Sequence, residues 1–141
     1  MVDDVCENRG SHHLTLEEAQ AITKKVRVKA AEMGVTIAAA VVDKAGLLVL
    51  SERMDGAGIM AADIAKAKAF TVVAFRGRPT EDLADLFKNN PQTFNGIAAI
   101  SPIVAGGGGM PIKKSGKVVG AIGASGAKGE EDQKCAEAGV S

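Results

Sequence analysis

The chain has only two histidines, His12 and His13, which are adjacent near its N-terminus. A neutral imidazole is a common ligand of metal ions in proteins. Short histidine tracts also occur in purification tags, and residues 9–13 are consistent with one. Two interpretations of His13 therefore stay open: it is a metal ligand, or it is part of a loose, partly non-native tail.

A second candidate is the glycine-rich loop that lies between two apolar runs in the last third of the chain. Glycine lacks Cβ bulk and adopts positive φ freely, although ordering it costs entropy. The loop therefore indicates sharp turns or the close approach of a ligand or second subunit. Consecutive amides can also bind an anion, but the Gly-Lys-Ser/Thr ending of a phosphate-binding loop is missing. The candidate binding residues are Gly107, Gly108, Gly109, Met110 and Pro111.

Arg53 follows an apolar run and precedes Met54-Asp55-Gly56. A guanidinium can hold the carboxylate of a ligand through two parallel hydrogen bonds. The simpler interpretation is an internal ion pair with Asp43, Asp55 or Asp63. Both interpretations are carried forward.

Lys68 falls on the same predicted helix face as Ile64, Thr71 and Phe75. A lysine in an apolar stripe either extends its stem so that the ammonium reaches water or lines a pocket. Lys68 is therefore a candidate binding residue beside Arg53.

No complete catalytic motif is present. The sequence has no His-Glu-x-x-His, Cys-x-x-Cys or Gly-x-Ser-x-Gly pattern. A Ser-His-Asp triad needs a histidine, and the only two belong to the N-terminal pair.

Composition predicts one domain, residues 14–141, after a flexible tail of residues 1–13. The 141 residues carry 17 basic and 17 acidic side chains, which gives no overall attraction to nucleic acid or anionic membranes. No apolar run reaches the roughly 18 residues of a membrane span. Cys6 and Cys135 lie far apart and favour unpaired thiols in a reducing cytoplasm.

Local patterns predict an α+β domain. Thr15 and Glu18 form a capping box that starts a helix ending at Gly34. The apolar run Val35–Val42 predicts a central strand, paired through the turn Asp43–Gly46 with Leu47–Arg53. The remaining predicted elements are helices at 59–75, from Thr80 and at 130–138, and strands at 97–103, 110–113 and 117–124. The expected order is αββααβββα, with five strands in a largely antiparallel sheet.

Taken together, these motifs resemble the GlcG/HbpS family, which also supplies the C-terminal domain of PduO-type cobalamin adenosyltransferases. The resemblance covers residues 14 to about 138, in order. The matching segments are residues 14–19 (LTLEEA), 40–46 (AVVDKAG), 53–57 (RMDGA), 65–71 (AKAKAFT), 107–111 (GGGMP) and 120–126 (GAIGASG).

The resemblance implies a five-stranded antiparallel sheet with helices on its faces and homo-oligomers up to octamers. Several members bind haem, some degrade it, and some use it to sense redox state. A histidine close to the first helix is implicated in haem ligation, and His13 stands at that place. The glycine-loop region also contributes in haem-binding members.

The first functional expectation is a cytoplasmic oligomer that binds haem or another tetrapyrrole, with His13 as metal ligand. The cofactor would also contact the glycine loop, Arg53 and Lys68. One alternative is a small catabolic enzyme that holds a carboxylated metabolite with Arg53 and Lys68 and uses Asp55 or Asp63 as base. A second alternative is a non-catalytic accessory oligomer.

Overall fold

The computed structural model describes residues 13–141, in which five helices and four strands occur. In chain order these elements are α1 (Leu16–Met33), β1 (Ala38–Asp43), β2 (Leu48–Arg53), α2 (Ala61–Ala74), α3 (Thr80–Asn89), α4 (Pro91–Ala98), β3 (Gly109–Lys114), β4 (Lys117–Ser125) and α5 (Gly129–Val140). His12, Cys6 and the rest of the predicted tail lie outside the described residues.

The four strands form one antiparallel sheet in the order β2-β1-β4-β3. The prediction that β1 is central and pairs with β2 is confirmed, and β1 also pairs along its whole length with β4. Pro111 lies in β3 at the edge of the sheet, where a missing amide hydrogen is tolerated. The α+β class and the antiparallel arrangement are therefore as expected.

The predicted fifth strand at residues 97–103 is wrong. Residues 91–98 form α4, so the order of the described elements is αββαααββα. Pro91 occupies the first turn of α4, where its fixed φ suits a helix. Phe94, Ile97 and Ala98 then pack on the cluster formed by Leu83, Phe87 and Ile103. The apolar run beginning at Ile97 therefore continues a helical face and does not alternate as a strand.

The sheet is covered on both faces because successive side chains of β1 point to opposite sides. Ala39 and Val41 pack with α1 and α5, whereas Ala38, Ala40 and Val42 pack against α2. All five side chains are buried. The continuous apolar run is thus explained by two helical layers, as the sequence predicted.

Small residues bring α2 unusually close to the sheet. A Cβ added at Gly123 of β4 would collide with the carbonyl oxygen of Ala65 and lie 2.9 Å from the amide nitrogen of Ala69. Both contact atoms belong to the backbone, so neither can rotate away. The alanine-rich face of α2 and the glycines of β4 therefore determine the distance between the two layers.

Replacing Gly123 by alanine should lower the free energy of unfolding by about 1–3 kcal/mol, because overpacking forces the backbone to shift. Urea denaturation measures this loss. Gly58→Ala is the matched control, since nothing lies within 4 Å of its added Cβ. Equal stability of the Gly123→Ala and Gly58→Ala proteins would contradict the close packing of α2 on β4.

Candidate functional site

The capping box of α1 is linked to β3 by a lysine. The Thr15 amide donates to Glu18 Oε1 at 2.9 Å, and the Glu18 amide donates to Thr15 Oγ1 at 3.1 Å. From β3, Lys114 Nζ donates to the same Glu18 oxygen and to the His13 carbonyl oxygen, both at 2.7 Å. Lys114 and Glu18 therefore hold the backbone on both sides of Leu14, and so set where His13 lies.

His13 itself is exposed and lines a cleft of about 240 Å³. The cleft is formed where the start of the described chain meets the β1–β2 turn and β4, and its lining also includes Leu14, Lys44 and Val119. Asp43 fixes the turn, because its Oδ1 accepts hydrogen bonds from the amides of Ala45 and Leu47 at 2.9 and 3.0 Å. The cleft is thus lined by a histidine, a lysine and the half-buried Leu14, with the buried Val119 at its base.

The glycine loop lies elsewhere and is packed against its own chain. The Gly108 amide donates to Gln133 Oε1 and the Gly109 amide donates to Thr80 Oγ1, both at 2.8 Å. Gly108 and Gly109 are buried, and a Cβ added at Gly108 would meet the Ala124 carbonyl and Lys68 Nζ. The bare backbone is therefore approached by groups of this chain, and these two amides already have acceptors.

Lys68 forms the centre of that packing. Its ammonium donates to Asp132 Oδ2 and to the Ala124 carbonyl oxygen, both at 2.9 Å, and Lys68 and Asp132 are both at least 95 % buried. Asp132 Oδ1 accepts from the Ala127 amide at 3.0 Å. The pair joins α2 to α5 beneath Gly108, so this lysine neither reaches water nor lines a cleft.

Gln133 extends this polar network along the glycine loop to Met110. Its Nε2 donates to Met110 Sδ at 3.2 Å and to Glu137 Oε1 at 3.1 Å. Two residues further along α5, the thiol of Cys135 is buried, and burial together with the charge of Asp132 raises its pKa. Cys135 is a free cysteine, in line with the expectation of unpaired thiols.

Arg53 lies at the opposite edge of the sheet from the loop. Its Nη1 donates to the Ala57 carbonyl oxygen at 3.0 Å, so the structure shows a backbone partner and not the ion pair expected with an aspartate. Arg53 pairs with Ala38 at one end of β1, while Gly109 pairs with Gly123. Two strands lie between β2 and β3, and three strand spacings amount to about 14 Å.

His13 is also far from the loop along β3. Gly109 begins this strand and Lys114, which holds His13, ends it. Five steps of an extended strand span about 17 Å. Within one copy of the chain, the structure brings Lys68 and the glycine loop together and places His13 and Arg53 at two other locations.

Sequence reasoning missed Asp132, Gln133 and Thr80 as partners of the loop, and Lys44 and Val119 as neighbours of His13. A usable pattern existed for one of them. Asp132 shares a helix face with Cys135, Ala136 and Gly139, all buried. An acidic residue in one apolar stripe and Lys68 in another together favour a buried ion pair. Nothing in the spacing indicated Lys44 or Val119, because the sheet brings them to His13.

The pH dependence of stability should contain a contribution from Glu18. Burial raises the pKa of this carboxyl, but hydrogen bonds from Lys114 and Thr15 and the charge of Lys114 together lower it below 4.5. A lowered folded-state pKa stabilises the fold above the unfolded value, and that contribution is lost as pH falls through the folded value. Urea midpoints measured from pH 6 to pH 3 should therefore fall less in Glu18→Gln than in the wild type.

Glutamine still completes a capping box, so Glu18→Gln removes the charge and keeps the helix start. Glu17→Gln, at an exposed neighbouring position, is the control and should follow the wild-type curve. Superimposable pH curves for Glu18→Gln and the wild type would show that the contact with Lys114 contributes nothing to stability.

Removing Lys68 should cost about 3–5 kcal/mol of unfolding free energy, because Lys68→Met leaves the Asp132 carboxylate buried without its counter-charge. Chemical denaturation measures the loss. Adding Asp132→Asn should restore part of it, since the uncompensated charge then disappears. Lys66→Met, exposed on the same helix, should stay within about 0.5 kcal/mol of wild type. A Lys68→Met protein as stable as Lys66→Met would refute a structural role of the pair.

Comparison with known proteins places this geometry in a family. Residues 14–141 match the family model described as haem degrading protein HbpS-like. An uncharacterized 15.0 kDa protein from the dhaT–dhaS intergenic region of Citrobacter freundii is 34 % identical over 125 residues, which are 88 % of this chain and 87 % of that protein.

Solved structures show the same fold. A double-mutant form of Streptomyces reticuli HbpS is 35 % identical, with a TM-score of 0.82 over 91 % of this chain and 85 % of that one. The PduOC–haem complex, 24 % identical, superimposes with a TM-score of 0.82 over 91 % of this chain and 93 % of that one. The resemblance drawn from the motifs is confirmed: the chain belongs to the HbpS-like family.

Proposed function

We propose that this protein binds haem, with the imidazole of His13 as axial ligand. The observation that carries the proposal is the cleft at His13, where this histidine, the apolar Leu14 and the basic Lys44 line one space. Haem presents iron, an apolar macrocycle and carboxylates, and each group of the cleft suits one of them. Membership of the HbpS-like family and the fold shared with a haem complex support the proposal.

The residues of the cleft fit the cofactor better than the glycine loop does. Gly108 and Gly109 are buried against Lys68, Thr80 and Gln133, so a macrocycle would have to displace those side chains. His13 is exposed, and Lys114 and Glu18 hold its backbone from behind. We therefore place the cofactor at His13 and assign Gly108, Gly109 and Lys68 to the scaffold. When bound, haem would supply the redox chemistry of its iron.

The cleft also supports assembly into an oligomer. Pockets for ligands of this size usually measure about 300–1,000 Å³, and the space at His13 is about 240 Å³. Part of the macrocycle would therefore lie outside the cleft, where a second copy of the chain can cover it. Closed symmetric oligomers are the common form of such assemblies, and we propose a homo-oligomer of at least two copies.

Titration with hemin should shift the Soret band of the wild-type protein, and His13→Ala should weaken binding at least tenfold, because the iron loses its protein ligand. Lys44→Gln should weaken binding less, since it removes one contact with a carboxylate. His12→Ala is the matched control and should bind as the wild type does. Light scattering of the same samples gives the number of copies.

Normal hemin binding by His13→Ala would reject the proposed ligand, and no Soret shift in the wild type would reject haem binding altogether. A monomer mass at micromolar concentration would reject the oligomer. Because His13 is exposed, its replacement should leave the unfolding free energy within about 0.5 kcal/mol, so a loss of binding will not reflect misfolding.

A further inference from the structure

A second cleft, of about 540 Å³, lies between α1 and the end of β2, away from His13. Its lining consists of Arg27, Val28 and Ala31 from α1 together with Arg53, Met54 and Asp55 from the β2 end. Two arginines, one aspartate and three apolar residues therefore line one space. We propose that this cleft binds a small aliphatic amino acid.

The two arginines supply the site for the ligand carboxylate. Arg53 is exposed and uses Nη1 to donate to the Ala57 carbonyl oxygen at 3.0 Å, whereas a guanidinium has five donors in all. One guanidinium can hold a carboxylate through two parallel hydrogen bonds. The Arg53 bond to Ala57 also fixes the arginine against its own turn, so less side-chain freedom is lost when a ligand binds.

Arg27 is held at the cleft from the side of α1. Its Nε lies 3.4 Å from Glu52 Oε1, and both atoms are buried without a hydrogen-bond partner among residues 13–141. The Arg27 side chain as a whole is nevertheless 42 % exposed, so its exposed surface belongs to atoms other than Nε. Glu52 thus anchors the arginine from behind and offsets part of its charge, which favours a ligand with a single carboxylate over a polyanion.

Asp55 favours a ligand that carries a positively charged group. It is exposed at the same cleft and places a negative charge beside two positive ones. A ligand that carries a carboxylate alone would meet this charge without compensation, whereas an amino acid presents an ammonium group next to its carboxylate. Val28, half exposed, and Met54 then offer apolar surface to the aliphatic side chain.

Titration of the haem-free protein, followed by amide chemical shifts, tests the site with L-leucine as probe. The two comparison probes are 4-methylpentanoate, which lacks the ammonium group, and 3-methylbutan-1-amine, which lacks the carboxylate. Leucine should bind at least tenfold more tightly than either, and the shifts should centre on residues 27–31 and 53–55. No saturable shift with leucine, or equal binding of all three probes, would overturn the proposal.

Three variants assign the roles of the charged groups. Arg53→Gln should weaken leucine binding at least tenfold, and Arg53→Lys should restore part of the loss by returning the charge. Asp55→Asn should abolish the preference for leucine over 4-methylpentanoate. Asp55 is exposed, so this variant tests the site even where Arg53→Gln disturbs the turn.

The control for these variants is Lys24→Gln, which is exposed on α1 and is not among the residues that line this cleft. It should bind leucine as the wild type does. Unchanged probe selectivity in Asp55→Asn, or unchanged affinity in Arg53→Gln, would overturn the assignment. Because every arm uses haem-free protein, the outcome is independent of the hemin titration.

Discussion

The buried ion pair between Lys68 and Asp132 constrains the end of the sheet where the glycine loop, the end of β4 and the start of α5 lie together. It joins α2, on one face of the sheet, to α5, on the other. At the end of β4, the Ala124 carbonyl oxygen accepts a second hydrogen bond from the Lys68 ammonium. Desolvating two charges is costly, and only good geometry with further hydrogen bonds compensates for it. The Ala127 amide and the Ala124 carbonyl provide those bonds, and the two layers are thereby held in one register.

The glycine loop follows from this constraint. The ammonium of Lys68 and the backbone of Ala124 occupy the space that a side chain at Gly108 would need, and Thr80 occupies the space beside Gly109. At Gly108 the backbone also adopts a φ of 124°, which side-chain-bearing residues rarely accept. The glycines therefore allow the chain to pass close to a buried charge pair. The packing of this chain alone therefore accounts for glycine at positions 108 and 109.

Local patterns in the sequence were sufficient for most of the fold. The capping box of α1, the glycine at its end and the β1–β2 turn all depend on residues within a few positions of one another, and all three are present. The prediction for the segment after Asn90 was wrong because a short apolar run fits a strand or a helix face equally well. What decides between them is the packing of this segment against Leu83 and Phe87, which is a tertiary contact.

The candidate sites were harder to predict, since they depend on distances between segments remote in sequence. Lys68 was singled out for its unusual environment, yet its partner lies 64 residues away. His13 and Lys44 line one cleft because Lys114 of β3 holds His13, β3 pairs with β4, and β4 pairs with β1. Arg53 and Lys68 were expected from the sequence to lie in one binding site, whereas in the structure Arg53 lines a cleft with Arg27 of α1. Residue chemistry thus singled out individual side chains, but it did not indicate which neighbours the fold would give them.

The four phenylalanines are the only aromatic residues of the chain, and all of them pack in the cluster around Leu83, Phe87 and Ile103. Phe87 contacts both Phe75 and Phe94, with ring centroids 5.3 and 4.7 Å apart. Ring resonances and near-ultraviolet circular dichroism consequently report on α3, α4 and the adjoining end of α2, and they are blind to the aliphatic layer between the sheet and α1. Local opening of that helical corner can be followed spectroscopically while the sheet stays closed.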